Sequence, residues 1–359
     1  MIKYLGSKRK LLPVIGQIAA ANESQTAVDL FTGTTRVAQE FKRRGLHVTA
    51  VDTARYSSLL ADAFIATDSN NIDSDQLSDA IVELNALVGK PGYFTETFCV
   101  ESRYFQPKNG ARVDVIRDRI ESRYVGTALY PILLAELMLA ADRVDSTTGL
   151  QMAYLKQWAK RSNNDLELRV PDLLPGPGRS INGDARTVAS TLEDVDLAYL
   201  DPPYNQHRYF TNYHIWETLV RWDSPEHYGI ACKRIDSRDA ETKSPYNSRK
   251  TMPEELRKTI EAVKARTLVV SYNNESWVTA DELLEWCVQG REDATLLAFD
   301  SKRYVGAQIG IHNPQGDRVG EVSHLRNLEY IVIAGSRTDV AAAVAAVPGT
   351  FEQVSKSVN

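Results

Sequence analysis

The chain has 359 residues, of which 43% are hydrophobic and 25% are charged, and its formal net charge is -5. This composition is typical of a folded globular protein and excludes collagen-like and intrinsically disordered classes. Because the chain has only three cysteines, a disulfide-stapled scaffold is excluded as well. The acidic excess argues against binding nucleic acid through overall charge, although a local basic face is compatible with it.

The cysteines and the amino terminus indicate the compartment. Cys99, Cys232 and Cys287 form no C-x-x-C pair and have no histidine at a metal-ligand spacing, so we expect no metal site and a reducing cytoplasm. The basic amino terminus is not followed by the apolar core of a signal peptide. No apolar run reaches the roughly 18 residues that span a bilayer, so we expect no membrane segment.

The first predicted elements form a β-α-β unit. Residues 27–31 form an apolar run typical of a strand, residues 35–44 have the pattern of a helix closed by Gly45, and residues 46–51 form a second strand that ends at Asp52. Such a unit starts a parallel sheet that helices cover. We therefore predict an α/β fold.

The later elements predict an interruption of this sheet. Helices are predicted at 130–143 and 149–161, and a run rich in proline and glycine at 171–178 predicts a boundary. Further strands are predicted at 195–200, 267–272 and 328–334, with a surface loop at 237–251 and a short helix after Arg337. The predicted segments are a sheet domain in two parts (1–90 and 179–337), a largely helical insertion (91–178) and a C-terminal tail (338–359).

The strongest chemical signal is the segment Asp201-Pro202-Pro203-Tyr204, which follows an apolar strand. The Asp201 carboxylate therefore lies at the carboxyl end of the strand. The two prolines fix an extended turn, which offers carbonyl acceptors but no N–H donors. An exocyclic amine on a planar heterocycle fits this set, since Asp201 and the Pro202 carbonyl each accept one hydrogen while Tyr204 stacks on the ring.

A second signal lies at the first strand-to-helix junction, which contains Asp29, Phe31 and Gly33. Gly33 permits close approach of a ligand, and the start of the following helix favours an anionic group. About twenty residues later, Asp52 ends the next strand, where an acidic side chain binds ribose hydroxyls. This pair suits a nicotinamide, flavin or S-adenosylmethionine nucleoside equally.

Two shorter segments are weaker signals. One comprises Tyr4, Gly6, Ser7 and Lys8, in which a glycine, a hydroxyl and a cation suit a small carboxylate. The other is Asn182-Gly183-Asp184, in which Asp184 either accepts a hydrogen bond from an adenine amine or shapes a turn.

Basic residues cluster in the predicted insertion. Six basic residues stand against three acidic ones between Arg103 and Arg123, and a second cluster contains Lys156, Lys160 and Arg161. Charge alone is more typical of a solvated helix face than of a binding site. Residues 302–310, which include Arg303, have glycines and alternating apolar residues that suggest either a bent strand or hairpin near the catalytic face or an ordinary sheet edge.

Taken together, these segments resemble the Dam-like class of DNA adenine-N6 methyltransferases, in the order of its alpha group, as in type II modification methylases. The resemblance covers most of the chain and extends to Tyr104-Phe105 through Arg119 and to residues 271–275. Thr35 stands where the family's F-x-G-x-G cofactor loop has its final glycine. The resemblance implies a Rossmann-like, S-adenosylmethionine-dependent methyltransferase sheet in which residues 91–178 recognise the target.

The resemblance also assigns roles to individual residues. It implies that Asp201, Pro202, Pro203 and Tyr204 are catalytic. It implies cofactor contacts from Tyr4, Gly6, Ser7, Lys8, Asp29, Phe31, Gly33, Asp52, Asp184 and Asp201. With these motifs present, we expect DNA contacts from Lys108, Arg112, Arg117, Arg119 and Arg303.

The implied function is methyl transfer from S-adenosylmethionine to a flipped adenine in duplex DNA, for restriction-modification with a cognate endonuclease or as an orphan methylase. The motifs require no metal. Two alternatives stay open: an RNA adenine-N6 methyltransferase, and an inactive regulator that binds cofactor and DNA. A cytosine or protein-amide substrate is less favoured, because the resemblance associates those with serine or asparagine in place of Asp201.

Overall fold

The computed structural model describes residues 2–6, 8–203, 206–302, 311–312, 318–320, 326–349 and 351–357. The strands of this part of the chain are β1 (Thr26–Asp29), β2 (His47–Asp52), β3 (Gly178–Asn182), β4 (Val195–Leu200), β5 (His227–Tyr228), β6 (Lys233–Arg234), β7 (Ala265–Asn273), β8 (Asp293–Lys302), β9 (Ile311–His312), β10 (Arg318–Gly320), β11 (Arg326–Gly335) and β12 (Glu352–Ser357). The α-helices are α1 (Leu12–Ala21), α2 (Arg36–Arg43), α3 (Arg55–Ala61), α4 (Ser74–Ala86), α5 (Tyr93–Thr95), α6 (Pro107–Tyr124), α7 (Leu129–Arg143), α8 (Ala185–Ala189), α9 (Tyr209–Asn212), α10 (His214–Arg221), α11 (Met252–Ala262), α12 (Ala280–Val288) and α13 (Arg337–Ala346). Single π-helical turns, Asp62–Ala66 and Glu96–Val100, continue α3 and α5.

The chain divides into two compact units, and the first comprises Met1–Leu12, Gln25–Val188 and His207–Ser244. Its sheet contains β1, β2 and β3, with β2 parallel to each of the other two. Helix α2 connects β1 to β2 and is followed by Gly45, whose φ of 89° permits its N–H to bond the Lys42 carbonyl at 2.9 Å. The predicted β-α-β unit is confirmed.

One hydrophobic core joins the helices of this first unit. It includes Tyr56 of α3, Phe98, Ile116 of α6, Leu133 of α7 and Trp216 of α10, all of which are at most 1% exposed. Residues 91–178 therefore share a core with segments that precede and follow them. The compact unit accordingly extends through both boundaries predicted for the insertion.

The second unit comprises Pro13–Ser24, Ala189–Gln206 and Pro245–Asn359. Its sheet has the order β12-β8-β11-β7-β4, in which β4 and β7 are parallel and the other neighbours are antiparallel. Strand β12 pairs with β8 from Glu352 to Ser357, so the end of the predicted tail is part of this sheet.

Most elements predicted from local sequence patterns are confirmed, with one clear exception. Residues 195–200 coincide with β4, residues 130–143 lie within α7, and the short helix after Arg337 is α13. The helix predicted at 149–161 is wrong. There the Leu155 and Ala159 N–H groups bond back to Ser146, which holds the segment in turns. None of the described helices is long and apolar enough to cross a bilayer.

Candidate active site

In the first unit, the ends of β1 and β2 hold a loop in a fixed position. The Thr32 N–H donates to the Val51 carbonyl at 3.0 Å, and the Gly33 N–H donates to Asp52 Oδ2 at 2.9 Å. Asp52 Oδ1 accepts from the Ala54 N–H at 3.0 Å. Burial raises the pKa of Asp52, and the backbone hydrogen bonds oppose that rise because they stabilise the carboxylate.

The segment after β3 meets the same strand end. The Gly183 N–H and the Asn182 side-chain amide both donate to the Asp52 carbonyl, at 3.0 Å each. The Asn182 amide also bonds the Thr53 carbonyl and the Ser58 hydroxyl, at 2.9 Å each. These bonds bring Asp184, which follows directly, to the same edge of the sheet as Asp52.

Asp184 also has a local role. Its Oδ1 accepts from the Thr187 N–H at 3.0 Å and from the Thr187 hydroxyl at 3.1 Å, so it stabilises the start of α8. This is the turn-shaping role that the sequence left open. A carboxylate offers about four acceptor positions, so these bonds leave capacity for a ligand.

Aromatic rings form a ladder beside the loop. The ring of Tyr4 stacks on Tyr213 with centroids 4.7 Å apart and an interplanar angle of 18°, and on Tyr209 at 5.3 Å and 28°. The Tyr213 hydroxyl accepts from the Leu5 N–H at 2.7 Å. The ladder therefore fixes the amino-terminal segment through residues more than 200 positions away.

Gly33 lies in close contact with this ladder. A Cβ atom at this position would lie 3.1 Å from Tyr4 Cε1, and the φ of Gly33 is 51°. Both the close contact with the Tyr4 ring and the positive φ therefore favour glycine over a residue with a Cβ.

Thr35 has the same backbone conformation without being glycine. Its φ is 61°, its side chain is completely buried, and it precedes the first residue of α2. Its hydroxyl donates to the Thr34 carbonyl at 2.7 Å and accepts from the Gln39 amide at 2.8 Å. The loop therefore keeps a left-handed residue where the resembled family has its last glycine, and two side-chain bonds hold it there.

The other predicted cofactor residues differ in their surroundings. Asp29 is buried at the end of β1 and accepts from the Thr32 hydroxyl at 3.0 Å. Phe31 is half-buried, Gly6 is exposed in a turn with a φ of 78°, and Lys8 is buried. Ser7 lies outside the described residues.

The predicted catalytic segment belongs to the second unit. Leu200 ends β4 opposite Val270 of the parallel strand β7, and Asp201 follows directly. Pro202 is buried, whereas Asp201 and Pro203 are half-buried. Tyr204 lies outside the described residues.

Strand β7 ends in a polar turn. Asn273 Oδ1 accepts from the Glu275 N–H at 3.1 Å, and Asn274 Oδ1 accepts from the Leu328 N–H at 3.0 Å. Since β4 and β7 are parallel neighbours, Asp201 and this turn lie at the carboxyl ends of adjacent strands. That edge is the usual position of functional side chains in α/β sheets.

Helix α6 carries four of the five predicted DNA-binding cations, and two of these four are bonded to backbone carbonyls within the first unit. Arg117 is 2% exposed and donates to the Leu219 and Val220 carbonyls. The Arg112 guanidinium donates to three carbonyls, those of Asn85, Leu87 and Leu166. These contacts give both side chains a structural role within the first unit, and their contacts with DNA stay a prediction.

The other predicted cations have acidic partners or lie elsewhere. Lys108 pairs with Asp165 at 2.5 Å, and Arg119 pairs with Glu83 at 2.7 Å. Arg303 lies outside the described residues.

A second basic cluster in the first unit is differently arranged. The Arg103 guanidinium lies 4.7 Å from the centre of the Trp158 ring and donates to the Lys156 carbonyl at 3.0 Å. Lys156 and Lys160 are exposed, and neither forms an ion pair with any described residue. We call Arg103, Lys156, Trp158 and Lys160 the Trp158 surface.

Local patterns missed three residues of the site. Asn182 lies two residues before Asp184 in the segment Asn182-Gly183-Asp184. Its position directly before a glycine could have indicated that its side chain shapes the turn. Tyr209 and Tyr213 are four residues apart, a spacing that places two side chains on one face of a helix. No local sequence pattern predicted that these two rings stack on Tyr4.

Comparison with known sequences identifies relatives. The profile of the family described as D12 class N6 adenine-specific DNA methyltransferase matches residues 4–283. Modification methylase StsI from Streptococcus sanguinis is 30% identical over 83% of this chain and 48% of its own length. Type II methyltransferase M.FokI from Planomicrobium okeanokoites is 31% identical over 79% of the chain and 46% of its own length. Type II methyltransferase M.NlaIII from Neisseria lactamica is 29% identical over 79% of the chain and 87% of its own length. The chain thus matches about half the length of the first two relatives.

Proposed function

Because the chain belongs to the D12 class of N6 adenine-specific DNA methyltransferases, we propose that it transfers a methyl group from S-adenosylmethionine to the N6 amine of adenine in duplex DNA. The observation that carries this proposal is the position of Asp201. It directly follows the buried strand β4 and precedes two prolines, at the edge of the sheet where β7 also ends. The α/β fold of both units agrees with a methyltransferase of this kind.

The first unit provides a cofactor site that fits this donor. Gly33 has no side chain where the loop backbone packs against the Tyr4 ring, and a loop without a side chain at this point suits close approach of a ligand. The half-buried Asp52 carboxylate is fixed by two backbone N–H groups and suits ribose hydroxyls. Asp184, held at the same edge, suits the adenine amine of the cofactor. When bound, S-adenosylmethionine supplies an electrophilic methyl group.

Asp201 and Pro202 act on the acceptor. The Asp201 carboxylate and the Pro202 carbonyl each accept one hydrogen from the adenine amine, which directs its lone pair toward the methyl group. Asp201 also assists departure of the amine proton, and no covalent intermediate with the protein is needed. Positioning of the two reactants accounts for most of the acceleration. Tyr204 offers a stacking face that partly offsets the few kcal/mol of base flipping.

We propose that the Trp158 surface contributes to DNA binding. Its two lysines have no acidic partner among the described residues, whereas Lys108 and Arg119 are already paired. Exposed cations beside an aromatic ring suit a phosphate backbone. The predicted role of residues 91–178 in target recognition, the cytoplasmic location and a cognate endonuclease remain predictions.

The decisive experiment is transfer of labelled methyl from S-adenosylmethionine to unmethylated duplex DNA of mixed sequence, followed by nucleoside analysis. We expect N6-methyladenine. N4-methylcytosine, or methylation of RNA alone, would contradict the proposed substrate. Cofactor binding without any methylated product would favour the inactive DNA-binding regulator.

A further inference from the structure

Three side chains that could bind a metal ion meet in the first unit, outside the predicted active-site residues. They are Glu101, His227 and Cys232, and one potential ligand atom of each lies within 4.8 Å of the other two. Glu101 directly follows the π-helical turn Glu96–Val100, whereas His227 begins β5 and Cys232 precedes β6. Glu101 is more than 120 positions from the other two, whereas His227 and Cys232 are separated by four residues, a spacing common between metal ligands. The expectation of no histidine at such a spacing overlooked this pair.

The geometry suits a tetrahedral ion. Glu101 Oε2 and His227 Nε2 are 3.4 Å apart. Two ligands that each lie about 2.0–2.2 Å from a tetrahedral zinc ion are separated by about 3.4 Å. The observed separation therefore equals one edge of a zinc coordination tetrahedron, and the Cys232 sulfur lies within 4.8 Å of a ligand atom of each of the other two residues.

The chemistry of the ligands selects the class of metal. A thiolate and an imidazole favour zinc and similar transition metals over magnesium and calcium, which prefer oxygen. One carboxylate and one thiolate neutralise a divalent charge. Three protein ligands leave a fourth position for water.

The protein positions the cysteine before any ion binds. Cys232 is 3% exposed and has a φ of 46°, a left-handed conformation that non-glycine residues rarely adopt. Its N–H bonds the Gly229 carbonyl at 2.9 Å, and the neighbouring Ala231 carbonyl accepts from the Tyr104 hydroxyl at 3.2 Å. This turn directs Cys232 inward, while Ile230 at its tip is 81% exposed.

We propose that Glu101, His227 and Cys232 bind one zinc-class divalent ion, which joins the antiparallel pair of strands β5 and β6 to the end of the π-helical turn. On binding, the thiol releases its proton to solvent and a metal–sulfur bond forms. The proposal does not depend on the proposed methyl transfer, because none of the three residues belongs to the predicted catalytic or cofactor set.

Titration of the chelator-treated full chain with Co²⁺ tests this proposal directly. We expect one equivalent to bind with a thiolate-to-cobalt charge-transfer band and the visible absorption of tetrahedral cobalt. Zn²⁺ should displace the cobalt and, at about 100-fold excess over its dissociation constant, raise the unfolding midpoint by roughly 5 °C. Absence of the charge-transfer band in the native chain would overturn the proposal.

Matched variants identify the ligands. Cys232→Ser should lose the charge-transfer band, whereas Cys287→Ser, a buried cysteine of the second unit, should keep it. His227→Gln should weaken cobalt binding at least about 10-fold, and His47→Gln, an exposed histidine at the start of β2, should not. A band that persists in Cys232→Ser would overturn the site. If Cys232→Ser fails to fold, an unchanged cobalt affinity in His227→Gln would overturn the site instead.

Discussion

The Gly33 N–H donates to Asp52 Oδ2 at 2.9 Å, so the loop after β1 and the end of β2 are fixed to each other by the residue proposed to bind ribose. The negative charge of Asp52 therefore stabilises the loop and, in the proposed function, also binds the cofactor. Burial raises the pKa of Asp52. Protonation removes its charge, so cofactor affinity should fall as the pH falls through this pKa.

The first prediction concerns this pH dependence. The loss of S-adenosylmethionine affinity should begin at a higher pH than for an exposed aspartate, whose pKa is about 3.9. Asp52→Asn should weaken affinity about 10- to 100-fold near neutral pH, because charge-assisted hydrogen bonds contribute about 1.5–3 kcal/mol. It should also flatten the acidic decline in calorimetric titrations. Asp73→Asn, which changes a helix-capping carboxylate with two backbone donors, is the control and should leave affinity unchanged.

The second prediction concerns Thr35. A left-handed conformation costs a residue with a Cβ about 1 kcal/mol or more, and glycine avoids this cost. Thr35→Gly and Thr35→Ala both lose the hydroxyl bonds, but only alanine keeps the strained backbone. Thr35→Gly should therefore be more stable than Thr35→Ala by about 1 kcal/mol in chemical denaturation. Equal stability of the two variants would contradict the left-handed conformation.

The third prediction separates two arginines of α6. Arg117→Gln should destabilise the first unit by about 2–4 kcal/mol, since it leaves buried carbonyls without their donors. Arg119→Gln removes only a partly exposed pair with Glu83 and should cost at most about 1 kcal/mol. Denaturation midpoints of the two variants measure the difference. Similar midpoints for the two variants would contradict the hydrogen bonds from Arg117 to the Leu219 and Val220 carbonyls.

The fourth prediction concerns DNA binding by the Trp158 surface. The slope of log affinity against log salt concentration falls by about 0.9 for each phosphate that the protein no longer neutralises. The double variant Lys156→Gln with Lys160→Gln should therefore reduce the slope by about 1–2. Lys108→Gln, which removes an already paired cation, should reduce it less. An unchanged slope in the double variant would exclude contacts between the Trp158 surface and DNA phosphates.

The fifth prediction concerns Asp201. Asp201→Ala should abolish detectable methyl transfer, because the amine loses its acceptor, while S-adenosylmethionine binding persists in calorimetry. Residual transfer at the native rate would show that another residue holds the amine. Loss of both binding and transfer would instead mean that Asp201 supports the cofactor site.

Local sequence was sufficient for much of the sheet. The strand before Asp201 and the β-α-β unit around Gly33 were predicted because apolar runs and glycine positions reflect the conformation of neighbouring residues. The same reasoning failed at 149–161, where the bonds to Ser146 replace helical bonds. A residue pattern could not reveal those bonds, since they depend on where Ser146 lies in the folded chain.

The sequence thus established the α/β class, the family and the order of the acidic residues at the strand ends, because each is encoded in contiguous segments. Tertiary packing decided the rest. The stacking of Tyr4 on Tyr213, the burial of Arg117 beneath the Leu219 and Val220 carbonyls, and the meeting of Glu101 with Cys232 all join distant segments. Such contacts depend on how the helices pack around one core, and local periodicity carries no information about which distant residues that core brings together.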